Sequence, residues 1–176
     1  MITVITATLP ERADLLERAV ASVALQTLRP EAHLVGVDHR RRGGAAMKNL
    51  LAYAADTEWL AILDDDDHLY PDHLLKLLAA SGDADVVYSW CDSTGDAFPN
   101  YNQSWEGVDA LRGSSRVSHN AIVRTSLFKA VGGFPLERGY DWRFWIKAAD
   151  AGARFACVPE RTWFYDLDPQ RWHESR

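Results

Sequence analysis

Cysteine is nearly absent from this chain. Cys91 and Cys157 are the only two among 176 residues, they lie far apart, and neither belongs to a Cys-x-x-Cys pair. That excludes a disulfide framework and a zinc ribbon, and it makes a reducing cytoplasm the expected compartment. Long apolar runs are missing too: nothing approaches the roughly 18 uninterrupted apolar residues of a membrane span. Met1 leads directly into Ile2-Thr3-Val4-Ile5, without the basic start, apolar stretch and small-residue cleavage site of a signal peptide. Basic excess is also lacking, since 19 Lys and Arg face 25 Asp and Glu for a formal charge of −6. A surface built on many contacts to nucleic-acid phosphates is therefore disfavoured. A small anionic ligand held through a metal ion is not.

What is present fits an ordinary folded domain, with 47% hydrophobic and 25% charged residues. A chain of this length can bury about 70% of its unfolded surface and needs no covalent staple. Short β-type runs alternate with helical runs, the pattern of an α/β domain with a largely parallel sheet. Strands are expected at 2–7, 33–38, 59–63, 85–91, 120–124, 155–158 and 162–165. Helices are expected at 14–26, 44–55, from Pro71 to a cap at Gly82, 106–111, 126–131 and 141–151. Leu15, Leu16, Ala19, Val20 and Val23 form the apolar stripe of the first helix, and Trp142, Trp145, Ile146 and Ala149 that of the last. Residues 93–118, rich in Gly, Ser, Asn and aromatics, are the least regular part. No repeat or linker divides the chain.

The strongest local signal is Asp64-Asp65-Asp66-Asp67 directly after the apolar strand Trp59-Leu60-Ala61-Ile62-Leu63. Four adjacent carboxylates repel one another, so a cation is expected among them. In open α/β sheets ligands bind beyond the carboxyl ends of strands, where this run falls. Such oxygen ligands suit Mg²⁺ or Mn²⁺ together with a substrate's phosphates. The competing reading is a solvated acidic loop before the helix at Pro71. A calcium loop of the EF-hand type does not fit, because the sixth position counted from Asp64 is Leu69, where the tight turn requires Gly.

The order of a strand, Thr8-Leu9-Pro10, a helix, a strand ending at Asp38, a Gly-rich helix start, a strand, the aspartate run, Pro71-Asp72 and a late Gly132-Gly133-Phe134-Pro135 resembles the family 2 glycosyltransferases of the GT-A fold. The likeness covers roughly residues 2–166. It implies a Rossmann-like three-layer α/β sandwich with a mostly parallel central sheet. It also implies a metal-dependent, inverting transfer of sugar from a nucleotide diphosphate, UDP first among them, to a hydroxyl acceptor. By resemblance the donor is bound by Thr8, Leu9, Pro10, Arg12, Asp38, Lys48, Asn49, Asp64 and Asp65. Leu9 stands where the family often has Tyr. The divalent cation is assigned to Asp66 with Asp64, and His173 is a further ligand by the family's habit of placing His near the chain end.

Asp141, in Gly139-Tyr140-Asp141-Trp142, corresponds to the family's general base, with Tyr140 in place of the usual Glu. Read from the residues alone, Asp141 is equally an N-cap and Asp38 a turn residue. His119 precedes a strand and either faces the sugar site or is structural. Trp90, Tyr101 and Trp105 are the candidates for an acceptor platform. Arg40-Arg41-Arg42 either closes over the diphosphate or forms a solvated loop, and Lys147 replaces an Arg common in the family. The chain is expected to be one domain over 1–176, with a nucleotide-binding part at about 1–92, an acceptor and catalytic part at about 93–166, and a tail at 167–176. The acceptor, whether glycan, protein or modified nucleobase, is not specified by these residues. A non-catalytic nucleotide-sugar binding module is the alternative. A sugar-phosphate nucleotidyltransferase is disfavoured, because Thr8-Leu9-Pro10-Glu11-Arg12 stands where that class has Gly-x-Gly-Thr-Arg.

Overall fold

The computed structural model describes residues 1–94 and 102–166. Seven strands form one sheet: β1 (Ile2–Thr8), β2 (Ala32–Val37), β3 (Trp59–Ile62), β4 (His68–Leu69), β5 (Val86–Ser93), β6 (Ile122–Arg124) and β7 (Phe155–Tyr165). The helices are α1 (Ala13–Ala24), α2 (Gly44–Ala54), α3 (His73–Ala79), α4 (Val108–Gly113), α5 (Thr125–Ala130) and α6 (Tyr140–Asp150), and a 3₁₀ turn at Pro10–Arg12 precedes α1. The sheet order is β2-β1-β3-β6-β5-β7-β4. β1 lies parallel to both β2 and β3, and β5 parallel to β7, whereas β6 and β4 pair antiparallel with their neighbours.

Period-2 alternation gives the sheet two apolar faces. Ile5, Leu60, Ile62, Val86, Tyr88 and Val123 pack against α2, α5 and α6, through Ala45, Ala52, Phe128, Phe144 and Trp145. Val4, Ala61, Val87, Cys91, Ile122 and Trp163 face Ala19 and Val23 of α1 and Leu74 and Leu77 of α3 on the other side. This is the expected three-layer α/β sandwich. No described helix is long and apolar enough to cross a membrane.

Several boundaries differ from the sequence reading. The two closing strands are one, because β7 runs through Pro159 by way of register shifts opposite Ser89, Trp90 and Cys91. Its far end pairs with β4, a two-residue strand too short to give a periodic signal. Helix α3 begins at His73, since the Pro71 carbonyl accepts a hydrogen bond from the Thr27 amide and the turn from Tyr70 to His73 closes first. It ends at Ala79, before the turn containing Gly82. In α1, Val20 is left exposed while Ala19 and Val23 are buried. In α6 the fully buried positions are Phe144, Trp145 and Ala148, so the stripe is rotated towards Phe144, and Trp142 donates from Nε1 to the Leu111 carbonyl at 2.6 Å.

Candidate active site

The fold gathers the polar residues at one edge of the sheet. β1 and β3 run parallel and end side by side, so Thr8 and the aspartate run leave the sheet together. Asp38 follows β2, with its amide bonded to the Thr8 carbonyl at 2.8 Å. β6 enters antiparallel beside β3, and the bond from the Ile62 amide to the Ala121 carbonyl sets His119 and Asn120 next to Asp64. A cleft of about 690 Å³ opens there, lined by Thr8, Leu9, Arg12, Asp38, Arg41, Gly43, Gly44, Lys48, Asp64, Asp65, Asp66 and Tyr140.

The four carboxylates find their countercharges within the protein. Lys48, 1% exposed, donates from Nζ to Asp64 Oδ1 and, at 3.0 Å, to the Tyr140 hydroxyl. Burial alone would make Lys48 less basic, but the Asp64 carboxylate outweighs it and raises its pKa. Asp64 is pushed by burial towards neutrality, yet Lys48 and His119 prevail and hold it at about 2. Arg12 reaches Asp65 Oδ1 at 2.8 Å and Asp66 Oδ2 at 2.6 Å through one nitrogen. Thr8 donates to the second Asp65 oxygen at 2.6 Å, and burial still lifts Asp65 to about 6.

Asp67 is fully buried. It accepts from His119 Nε2 and from Asn120 Nδ2, each at 2.8 Å, and from the Asp166 amide at 3.1 Å. His119 also lies 3.3 Å from Asp64 Oδ2. Burial works against its charged form, but Asp64 and Asp67 raise it to about 9, while burial lifts Asp67 to about 6. Trp163 and Tyr165 set their rings against the imidazole, each 5.4 Å away. Arg18 closes the outer side, donating to the Asp66 carbonyl at 2.5 Å and to Asp166 at 2.6 Å.

Asp38 is 3% exposed, and one of its oxygens accepts the Gly43 amide at 2.8 Å. Burial would raise its pKa, but the backbone N–H groups of Arg42, Gly43 and Arg40 lower it. Its second oxygen is buried without a partner. Asp141 occupies the first turn of α6, whose N-cap is the left-handed Gly139 (φ 69°) with no side-chain cap, so Asp141 is not held as a capping residue. Its charge contributes to the raised pKa of His119.

These contacts bring most of the sequence candidates together and set others apart. Asn49 points away from the cleft and clamps the Gly-Gly-Phe turn, donating to the Phe134 carbonyl and accepting from its amide, both at 2.8 Å. Trp105 stacks on Phe155 at 4.2 Å, and neither it nor Trp90 lines the cleft. Of the arginine run, Arg41 lines the cleft and pairs with Glu11 at 2.7 Å. Tyr101 and His173 lie outside the described residues. Asp67, Asn120 and Tyr165 are not assigned to this site by the sequence, although Asp67 carries a signal as the last member of the run, and Tyr140, marked there only as a replacement for Glu, lines the cleft.

A family model described as Glycosyl transferase family 2 matches residues 24–142, more than half of the chain. The chain belongs to glycosyl transferase family 2. Asp38, Lys48, the aspartate run, His119 and Asp141 all fall inside that span. Three solved structures illustrate the fold. S. aureus TarS superposes with a TM-score of 0.77 at 19% identity, covering 99% of this chain and 38% of that one. TarS 1-349 in complex with UDP-GlcNAc gives 0.79 at 18%, covering 96% and 59%. The mannosyltransferase PcManGT from Pyrobaculum calidifontis, in complex with GDP-Man and Mn²⁺, gives 0.72 at 20%, covering 98% and 59%. At these identities the likeness is one of fold, and this family member spans well under two-thirds of each of those chains. No curated protein sequence matches the chain.

The residues suit a divalent cation of the kind the family implies. Ligand atoms of Asp64, Asp67 and His119 lie within 4.8 Å of one another, the one such group among the described residues. Beside them the Asp66 side chain is 27% exposed. Carboxylate oxygens of this sort match Mg²⁺ or Mn²⁺.

Proposed function

We propose that this domain is a metal-dependent, inverting glycosyltransferase that moves a sugar from a nucleotide diphosphate, in the first instance a UDP-sugar, to a hydroxyl acceptor. The observation that carries this reading is the cleft itself. A family 2 domain holds Asp38, Arg12 and three adjacent aspartates around one cavity, with Tyr140 in its wall and Asp141 next along α6, outside the residues that line it. The bound UDP-GlcNAc, GDP-Man and Mn²⁺ of the solved neighbours support it. The whole chain acts as one unit, with residues 1–92 contributing the nucleotide half and 93–166 the catalytic and acceptor half.

The unpartnered oxygen of Asp38 accepts a donor hydrogen from the base or ribose, beside Thr8, Leu9 and Pro10. Arg12 supplies fixed positive charge for the diphosphate. Asp66, with Asp64, would hold the cation, which when bound would supply Lewis-acid stabilisation of negative charge on the diphosphate. Lys48 is bonded to Asp64 and Tyr140 and holds both in place. Asp141 takes the proton from the acceptor hydroxyl as its oxygen bonds to the anomeric carbon and the bond to the diphosphate breaks. A single base and a single displacement give inversion.

Calorimetric titration with UDP and with GDP, each with and without Mn²⁺, tests the donor site. Mn²⁺-dependent binding of one nucleotide is expected. No binding of either to folded protein defeats the reading. With the sugars of the nucleotide that binds, Asp141→Asn is expected to keep donor affinity and lower turnover by orders of magnitude. Unchanged turnover removes Asp141 from the chemistry, and binding without turnover in the unaltered protein supports the binding-module alternative.

A further inference from the structure

Arg12, Lys48 and His119 neutralise the aspartate run, and the first two, which line the cleft, are held differently. Lys48 is 1% exposed and fastened on both sides, by Asp64 and by the Tyr140 hydroxyl. Arg12 sits on the short 3₁₀ turn after β1, its side chain is 23% exposed, and one terminal nitrogen spans Asp65 and Asp66. Its Nε is buried without a partner. The guanidinium thus covers the carboxylate assigned to the cation, and it retains a donor that nothing in the protein satisfies.

We propose that Arg12 is an exchangeable counter-cation that makes entry of the divalent ion conditional on a nucleoside diphosphate. The proposal rests on the reading of the cleft as a donor site. A free divalent ion approaching Asp66 must displace the guanidinium from both carboxylates and leave it partly buried with no anion, which is costly. A diphosphate arriving with the ion removes that cost, because its oxygens accept from the guanidinium fork, including the unsatisfied Nε, while the ion takes over the carboxylates. Lys48 cannot make this exchange, since its second partner is a neutral hydroxyl in the protein wall. Coupling of this kind is reciprocal, so the ion and the nucleotide each strengthen the other's binding.

The test titrates Mn²⁺ into the full chain and counts free ion by electron paramagnetic resonance, with and without UDP, for the unaltered protein, Arg12→Gln and Arg12→Lys. Thermal melts verify folding. The unaltered protein is expected to bind Mn²⁺ at least about tenfold more weakly without UDP than with it, the scale of a hydrogen bond to a charged group. Arg12→Gln is expected to tighten Mn²⁺ binding without UDP by about tenfold and to shrink the gain from UDP. An unchanged or weaker affinity for Mn²⁺ alone in Arg12→Gln, with UDP binding intact, overturns the proposal. Should that variant not fold, Arg12→Lys decides, because Lys keeps the charge but spans one carboxylate. Tighter Mn²⁺ than in the unaltered protein supports the exchange, and equal or weaker binding overturns it. Absence of UDP binding in every sample defeats the donor reading as well, an outcome distinct from failure of Arg12 alone.

Discussion

Removing Lys48 is the most direct perturbation of the electrostatic balance beneath the aspartate run. Lys48→Met preserves most of the stem volume but deletes the ammonium, leaving Asp64 with its nearest cation gone and Tyr140 without its donor. Breaking a fully buried ion pair costs about 3–5 kcal/mol. The Asp64 side chain is 28% exposed and keeps His119 at 3.3 Å, which argues for the lower end, about 3 kcal/mol. For a domain of this size that corresponds to a fall in Tm of roughly 6–12 °C. Urea unfolding followed by tryptophan fluorescence measures the loss at unchanged slope. Asp64→Asn alone strands the ammonium instead and should cost a similar amount. The double variant, with neither charge, should cost about 4 kcal/mol rather than the additive total of about 6, a coupling energy of about 2 kcal/mol. Additivity within about 0.5 kcal/mol would mean the two groups do not sustain each other, and the balanced-cluster account would be wrong.

Two further outcomes follow from the same contacts. His119 is raised from an ordinary value near 6.5 to about 9 in the folded chain, so its contribution is complete below pH 6.5 and is lost as pH climbs through about 9. Stability should fall by on the order of 2–3 kcal/mol across that window, and His119→Gln should flatten the profile; an equally steep profile in that variant would remove His119 as the cause. Gly133→Ala should cost roughly 2–3 kcal/mol, because φ is +70° and the new Cβ would lie 2.6 Å from Asn49 Oδ1, breaking the clamp on Phe134. Gly139→Ala, at φ +69° with nothing within 4 Å, should cost only about 1–2 kcal/mol of backbone strain, so equal losses at the two glycines in urea melts would refute the clamp.

Much of the fold was legible because its information is local. Short apolar, β-branched runs in Ile2–Thr8 and Val86–Ser93 mark strands, and helical spacing marks α1 and α6. The pieces that escaped are those without a period of their own. β4 has two residues, and β7 continues through Pro159 because a bulge opposite Ser89 and Trp90 absorbs the residues that cannot join the ladder. Neither event is encoded by neighbours in sequence. The rotation of the buried stripe of α6 towards Phe144 likewise depends on Phe128 and Phe134, which reach it from α5 and from the glycine turn.

The site was legible in composition but not in pairing. Four adjacent aspartates after a buried strand announce a need for positive charge, and the expectation that a metal ion supplies it followed from looking at that segment alone. In the folded chain Arg12 arrives from the turn after β1, Lys48 from α2 and His119 from the segment leading into β6, so the protein already answers Asp64, Asp65, Asp66 and Asp67 before any ligand enters. Those partners lie between 16 and 55 residues away in sequence, and the packing of α2 on the sheet with the pairing of β1 with β3 and of β3 with β6 brings them together. An acidic run therefore does not by itself measure the affinity of a site for a cation. What decides it is how tightly each internal counter-ion is held, and the difference between a buried Lys48 with two partners and a partly exposed Arg12 with an unsatisfied nitrogen makes Arg12 the point at which an incoming ligand can exchange charge with the protein.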